Sequence, residues 1–342
     1  MLLLVLFLPA VVGARATSFD TLGLRPTADF GPYFTLGTAD LLTPRQWAAG
    51  FFLDYARNTL TGINAGARQS VVRDLLGGHL AASYGVLDWL ELGVNPNIAL
   101  YEKFFDPVTG QGSNRIRLGD MRFNAKLGIL SKQDHPIGLA FIPYLDLPTG
   151  SGSSFVGNNS FAGGGSFALE TRRLEERLTF AWNLGYHARD RVLVLGTPYD
   201  DLLTFGFGAN FLVMHWLELV AEFHGGTMVS DFGNGAGTPF EGGGGIRFFL
   251  DPDRRWQVTT GISLGVGSGL GNPSIRGLAG IAYTPARRVK GVEFQESVQE
   301  VFQVYELENV DEMEELRQKC PDKRDFDPKT HDVRCIKFYL RQ

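Results

Sequence analysis

Apolar residues recur at every second position through much of the chain. In "LTFAWNLGYHA", Leu178, Phe180, Trp182, Leu184 and Tyr186 share one face, and Thr179, Ala181, Asn183, Gly185 and His187 share the other. That is the side-chain period of a β-strand. "GDMRFNAKLGIL" sets Met121, Phe123, Ala125, Leu127 and Ile129 against Asp120, Arg122, Asn124 and Lys126. "LLTFGFGANFLV" repeats the pattern, and weaker copies lie near 47–56, 76–86, 89–101, 137–147, 164–172, 217–225, 240–250, 256–266 and 274–284. The total is about twelve strands of about 10 residues each, the length a tilted strand needs to cross a hydrocarbon core.

Alternation alone also suits an antiparallel sandwich. Two further features favour a membrane barrel. The apolar faces carry almost no charge, while the opposite faces carry charges of both signs. The connections alternate in length: "SKQDHP", "RLEER" and "DPDRR" are short, whereas "RNTLTGINAGARQSVVRD" and "PTGSGSSFVGNNSFAG" are long. Outer-membrane barrels have short periplasmic turns and longer outside loops. The fold predicted for 45–285 is therefore all-β, a transmembrane antiparallel up-and-down β-barrel. An even strand count places both termini in the periplasm of a Gram-negative bacterium.

The segments around the barrel are read separately. "MLLLVLFLPAVVGARA" is an apolar run of signal-peptide length ending in the small-x-small site Ala14-Arg15-Ala16, which predicts cleavage after Ala16. Residues 17–44 lack periodicity and read as a periplasmic lead. In 286–342, Phe294, Val298, Val301, Phe302, Tyr305 and Leu316 fall at roughly helical spacing. This α-containing periplasmic extension either packs under the barrel, docks a periplasmic or outer-membrane protein partner, or stays disordered. Cys320 and Cys335 flank a short polar loop; one disulfide and two free thiols are both open.

Composition narrows the function. The net charge of −5 gives nucleic acid no clustered cations to bind. The 43 glycines and 26 phenylalanines suit many strands rather than many helices. No metal-ligand spacing or cofactor motif is found. "EGGGGIRFF" lacks the Lys-Ser/Thr ending of a phosphate loop and reads as a strand bend or as room for bulky neighbours.

A family resemblance rests on "FGPYFTLGTADLLTPRQWAAGFFLDYARNTL", "LDWLELGVNPNIALY", "RLGDMRFNAKLGIL", "IGLAFIPYLDLPTGSG" and "RGLAGIAYTP". Together these segments, over roughly 28–285, resemble the N-terminal barrel of OmpA-family outer-membrane proteins of the myxobacterial and deltaproteobacterial type. The resemblance implies the barrel. It does not imply cell-wall anchoring, because "QKCPDKRDFD" is followed by too little sequence for a peptidoglycan-binding domain.

Strand phase assigns the lumen. Asp54, His79, Glu91, Asp120, Arg122, Lys126, Asp146, Glu170, Arg172, His187, Glu218, Glu222, His224, Glu241 and Arg247 are predicted to face inward. They form either a structural ion-pair network or a polar pore lining that screens solutes by size and charge. An enzyme would need His187 with Asp190, Asp200 or Asp201, or His224, at one rim; no serine shares a motif with either, so the protein reads as non-enzymatic. "LDWLEL" and "MHWLEL" put Trp89 and Trp216, with Trp256 and Tyr283, at the lipid–water interface and turn Glu91 and Glu218 inward. The expected function is a porin-like passive channel for small hydrophilic solutes. The alternative is a non-enzymatic structural barrel, or the outer-membrane anchor of an envelope assembly working through its tail.

Overall fold

A computed structural model describes residues 20 and 22–285, apart from 65–66, 106–111, 115, 133–134, 151–155, 159, 175–176, 195–196 and 268. The signal segment, the cysteines and the C-terminal extension lie outside the described residues.

The strands are β1(Trp47–Asn64), β2(Ala67–Leu87), β3(Leu90–Asn95), β4(Asn97–Phe105), β5(Gly112–Asn114), β6(Arg117–Leu118), β7(Met121–Leu130), β8(Ile137–Leu147), β9(Ala162–Arg173), β10(Leu178–Ala188), β11(Val192–Val194), β12(Thr197–Tyr199), β13(Leu202–Met214), β14(Leu217–Met228), β15(Phe240–Phe249), β16(Trp256–Val266) and β17(Ile275–Tyr283). β3 and β4 form one stave interrupted at Pro96, which has no N–H to give the ladder; its carbonyl still accepts from Leu80 N at 3.1 Å. β5, β6 and β7 make up the next stave, and β11–β12 is a separate hairpin in a long loop. The result is a closed antiparallel barrel of 12 strands. Closure comes from β1 pairing with β17, from Ala49↔Tyr283 to Arg57↔Ile275.

The alternation sorts as the sequence predicts. In β3, Glu91 is 1% exposed and Leu92 is 47% exposed. In β14, Glu218, Val220 and Glu222 are buried while Leu219 and Phe223 face outward. At the short-turn end Trp89, Trp216 and Trp256 are exposed. There Trp47 packs on Tyr283 with ring centroids 4.7 Å apart, and Trp256 on Tyr283 at 5.3 Å. This is an aromatic girdle of the kind that marks a membrane interface.

The sequence reading places residues 17–44 as a lead ahead of the barrel. Residues 22–46 instead run inside it. Leu22, Leu24, Phe30, Tyr33, Phe34, Leu36 and Leu42 are buried, and their space comes from inward-facing glycines. A Cβ on Gly208 would stand 2.5 Å from the Tyr33 ring, one on Gly206 2.3 Å from Leu36, and one on Gly245 or Gly261 2.9 Å from Phe34. Gly245, in the run "EGGGGIRFF", is thus explained by close approach rather than by ligand binding.

The lead begins at the other end of the barrel from β1. Strand β1 starts and β17 finishes at the short-turn end, as an even strand count requires. Leu22, however, is bonded to Arg276 at the opposite end of β17 and packs in an apolar cluster with Leu60, Val72, Leu75, Val156, Leu202 and Met228 from the long-loop ends of the strands.

Gly208→Val is therefore expected to displace the lead and make residues 22–46 accessible to added protease. Gly277→Ala, where an added Cβ meets nothing within 4 Å, should leave the digestion pattern unchanged.

Candidate functional site

The lead has no regular secondary structure, so its backbone polar groups need partners from elsewhere. Inward side chains of the wall supply them. The Arg276 guanidinium donates to Leu22 O at 3.0 Å, Asn95 to Pro26 O at 2.8 Å and Gln257 to Phe30 O at 3.2 Å. Glu222 accepts from Phe34 N at 2.8 Å and from Thr35 N at 3.1 Å. Asn183 both accepts from Gly37 N, at 2.8 Å, and donates to Gly37 O, at 3.0 Å. Glu170 takes Ala39 N at 3.1 Å and Glu91 takes Leu42 N at 2.8 Å. Tyr33 reverses the direction, donating its hydroxyl to Thr179 O at 3.0 Å.

These partners trace the path. The lead descends from Leu22 at the long-loop end to Phe30, stacked on Phe52 and bonded to Gln257 near the short-turn end. It rises to mid-height at Thr35, beside Glu222, and descends again to Arg45, whose N–H meets Gly85 O at 2.8 Å.

Ion pairs fasten it further. Lys126 pairs with Asp29 and donates to Asp40 O at 2.9 Å. Asp40 is also held by Lys132 and by Arg172, each at 2.8 Å, and Lys132 bridges on to Glu170. Arg25 reaches Asp20 at 2.9 Å and Asp146 at 3.8 Å.

The remaining predicted lumen residues serve the wall. Asp54 accepts Arg276 and lies 2.6 Å from His79 Nε2, whose Nδ1 is 2.9 Å from Asn97. Glu241 takes Arg276 at 2.9 Å and Ser263 at 2.5 Å. Arg122 grips Asp146 with two bonds of 2.7 and 2.8 Å. Asp120 accepts from Gly150 N and Asn158 N. Glu218 pairs with Arg247 at 3.4 Å and also with Arg254. His224 lies 3.2 Å from Glu222.

The rim pairing considered for catalysis is not made. His187 Nδ1 faces the Tyr144 hydroxyl at 3.1 Å, while Asp201 accepts from Tyr186 and from Arg189 N. Among the described residues no group of His, Cys, Asp and Glu has the geometry to hold a metal.

Sequence reasoning missed Arg276, Lys132, Arg254, Asp29, Asp40 and Arg25. Arg276 was within reach, since it shares its phase with Leu278, Gly280 and Ala282, which face inward. Lys132 and Arg254 sit in short turns and Arg25, Asp29 and Asp40 in the lead, where no period exists to assign a side.

Two cavities flank the lead. The outer one, about 320 Å³, is lined by Arg25, Arg122, Tyr144, Asp146, Arg189, Tyr199 and Phe240 among others. The inner one, about 110 Å³, is bounded by Asp29, Glu91, Asn95, Asn124 and Lys126. A separate space of about 80 Å³ lies at the short-turn end between Phe30, Asp40, Glu218 and Arg254.

Residues 43–276 match the family described as "Putative MetA-pathway of phenol degradation". The chain belongs to this family. No curated protein matches it. Among solved structures, an outer membrane channel from Pseudomonas putida F1 is similar with a TM-score of 0.55 and 14% identity, covering 72% of this chain and 98% of that one. The NanC porin (TM-score 0.46, 10% identity, 69% and 98% covered) and the CymD monoaromatic hydrocarbon channel (0.40, 11%, 79% and 99%) are more distant and add nothing to it. At such identity the likeness is one of fold, that of an outer-membrane barrel. None of these findings singles out the OmpA family; the resemblance holds only as far as the barrel.

Breaking one buried pair should cost more than removing both charges. Lys126→Met leaves Asp29 buried without that partner and is expected to lose about 3–5 kcal/mol. Lys126→Met with Asp29→Leu should recover most of the loss in urea unfolding of the detergent-solubilised protein.

Proposed function

We propose that the protein is a passive channel for small hydrophilic solutes in the outer membrane, held narrow by its own lead. The observation that carries this reading is a polar lumen containing two cavities beside a segment fixed mainly by side-chain hydrogen bonds and ion pairs. A barrel of eight strands is filled by its own side chains, while barrels of 16–18 strands enclose an aqueous channel. Twelve strands with inward glycines and alanines leave a width that one extra segment fills in part. By the architecture's rule of short periplasmic turns, the lead enters from the outside end and its last residues line the periplasmic mouth.

The dense ion pairing favours a second reading, a filled and non-conducting barrel that serves as a structural component or an anchor for an envelope assembly. Loosening the lead separates the two. Glu170→Ala with Glu222→Ala removes the carboxylate acceptors of the Phe34, Thr35 and Ala39 N–H groups, charge-assisted bonds worth about 1.5–3 kcal/mol each. In planar bilayers the variant should conduct several-fold more than wild type. Heat-modifiable gel migration would establish that both are folded. Folded barrels that give only bare-bilayer current, in variant and wild type alike, would leave the structural reading standing.

A further inference from the structure

The outer and inner cavities share six lining residues: Arg25, Thr35, Arg122, Tyr144, Ser166 and Asn183. These side chains bound both cavities, and only Arg25 and Arg122 among them carry charge. Their carboxylate partners stand to one side, since Asp20 and Asp146 line the outer cavity and not the inner one. Beyond the waist the inner cavity is lined by three cations, Arg25, Arg122 and Lys126, against two carboxylates, Asp29 and Glu91.

Arg122 is held in place as well as charged. Asp146 binds it through two nitrogens, and its guanidinium carbon sits 3.9 Å from the centre of the Tyr144 ring. Tyr144 is itself fixed by the contact of its hydroxyl with His187. The bonds to Asp146 use Nε and Nη2, so Nη1 is not committed to that carboxylate, and guanidinium forks fit carboxylates and other small anions. In a narrow, low-dielectric constriction a fixed charge of one sign discriminates strongly between ions.

We propose that Arg25 and Arg122 form a waist that selects small anions over cations. The proposal rests on the channel reading, and its test keeps the two apart. Reversal potentials would be measured in an about tenfold potassium chloride gradient, for the wild-type chain and for Glu170→Ala/Glu222→Ala, which keeps both arginines while loosening the lead that carries Arg25. The sign should report chloride as the preferred ion.

Arg25→Gln with Arg122→Gln should abolish that preference or turn it towards potassium, and Arg122→Lys should keep it. Adding Asp146→Asn to the double variant removes the carboxylate left behind, so that a folded barrel without the waist charges can be measured, and it too should lack the chloride preference. Conduction that favours potassium or neither ion in the wild-type waist would overturn the proposal alone, as would a chloride preference that survives removal of both arginines. Absence of current in every folded form would overturn the channel reading and the waist with it.

Discussion

Every backbone N–H and C=O in this structure has to find a partner, and two different environments impose that demand. Around the outside, lipid offers no hydrogen bonds, so an open strand edge would cost several kcal/mol per group. The pairing of β1 with β17 removes the edge. Inside, residues 22–46 cannot join the sheet, because the ladder of each strand is already used by its neighbours. Some of their amides and carbonyls pair with one another or with Gly85, others are answered by side chains that the wall turns inward, and the position of the lead follows from where those side chains stand.

The same demand explains why carboxylates recur in otherwise apolar strands. Glu91, Glu170 and Glu222 each accept backbone N–H groups of the lead, and Asn183 satisfies both groups of Gly37. Glu218, which repeats the local sequence of Glu91, takes a different role in pairing with Arg247 and Arg254. Identical sequence steps thus give identical facing but not identical partners. The inward glycines are the complement of these acceptors: bonds hold the lead's backbone, and missing side chains admit Tyr33, Phe34 and Leu36.

Charge inside the barrel is mostly matched, as burial requires. Arg276 sits between Asp54 and Glu241, and Lys126 ties Asp29 in the lead to the wall. Pairing nevertheless leaves geometry, since a guanidinium can bond a carboxylate on one side and face open space on the other. Arg25 and Arg122 border both cavities while Asp20 and Asp146 border only the outer one, so a lumen of mostly matched charge is unevenly charged along its length.

The period of two fixed a great deal from the chain alone. It set Glu91 and Glu218 on the face opposite their leucine neighbours, because side chains on a strand have only two directions, and the segregation of charge with the rhythm of turn lengths then made the apolar face the lipid face. Turn lengths and an even count then fixed where β1 begins and β17 ends. The lead carries no such period, so its residues had no assigned side and read as a segment outside the barrel. Its place was decided by tertiary structure: the width of 12 staves, the space left by glycines on three different strands, and acceptors separated by more than a hundred residues in sequence yet brought to one line. Those are properties of the closed wall, and no local stretch of sequence contains them.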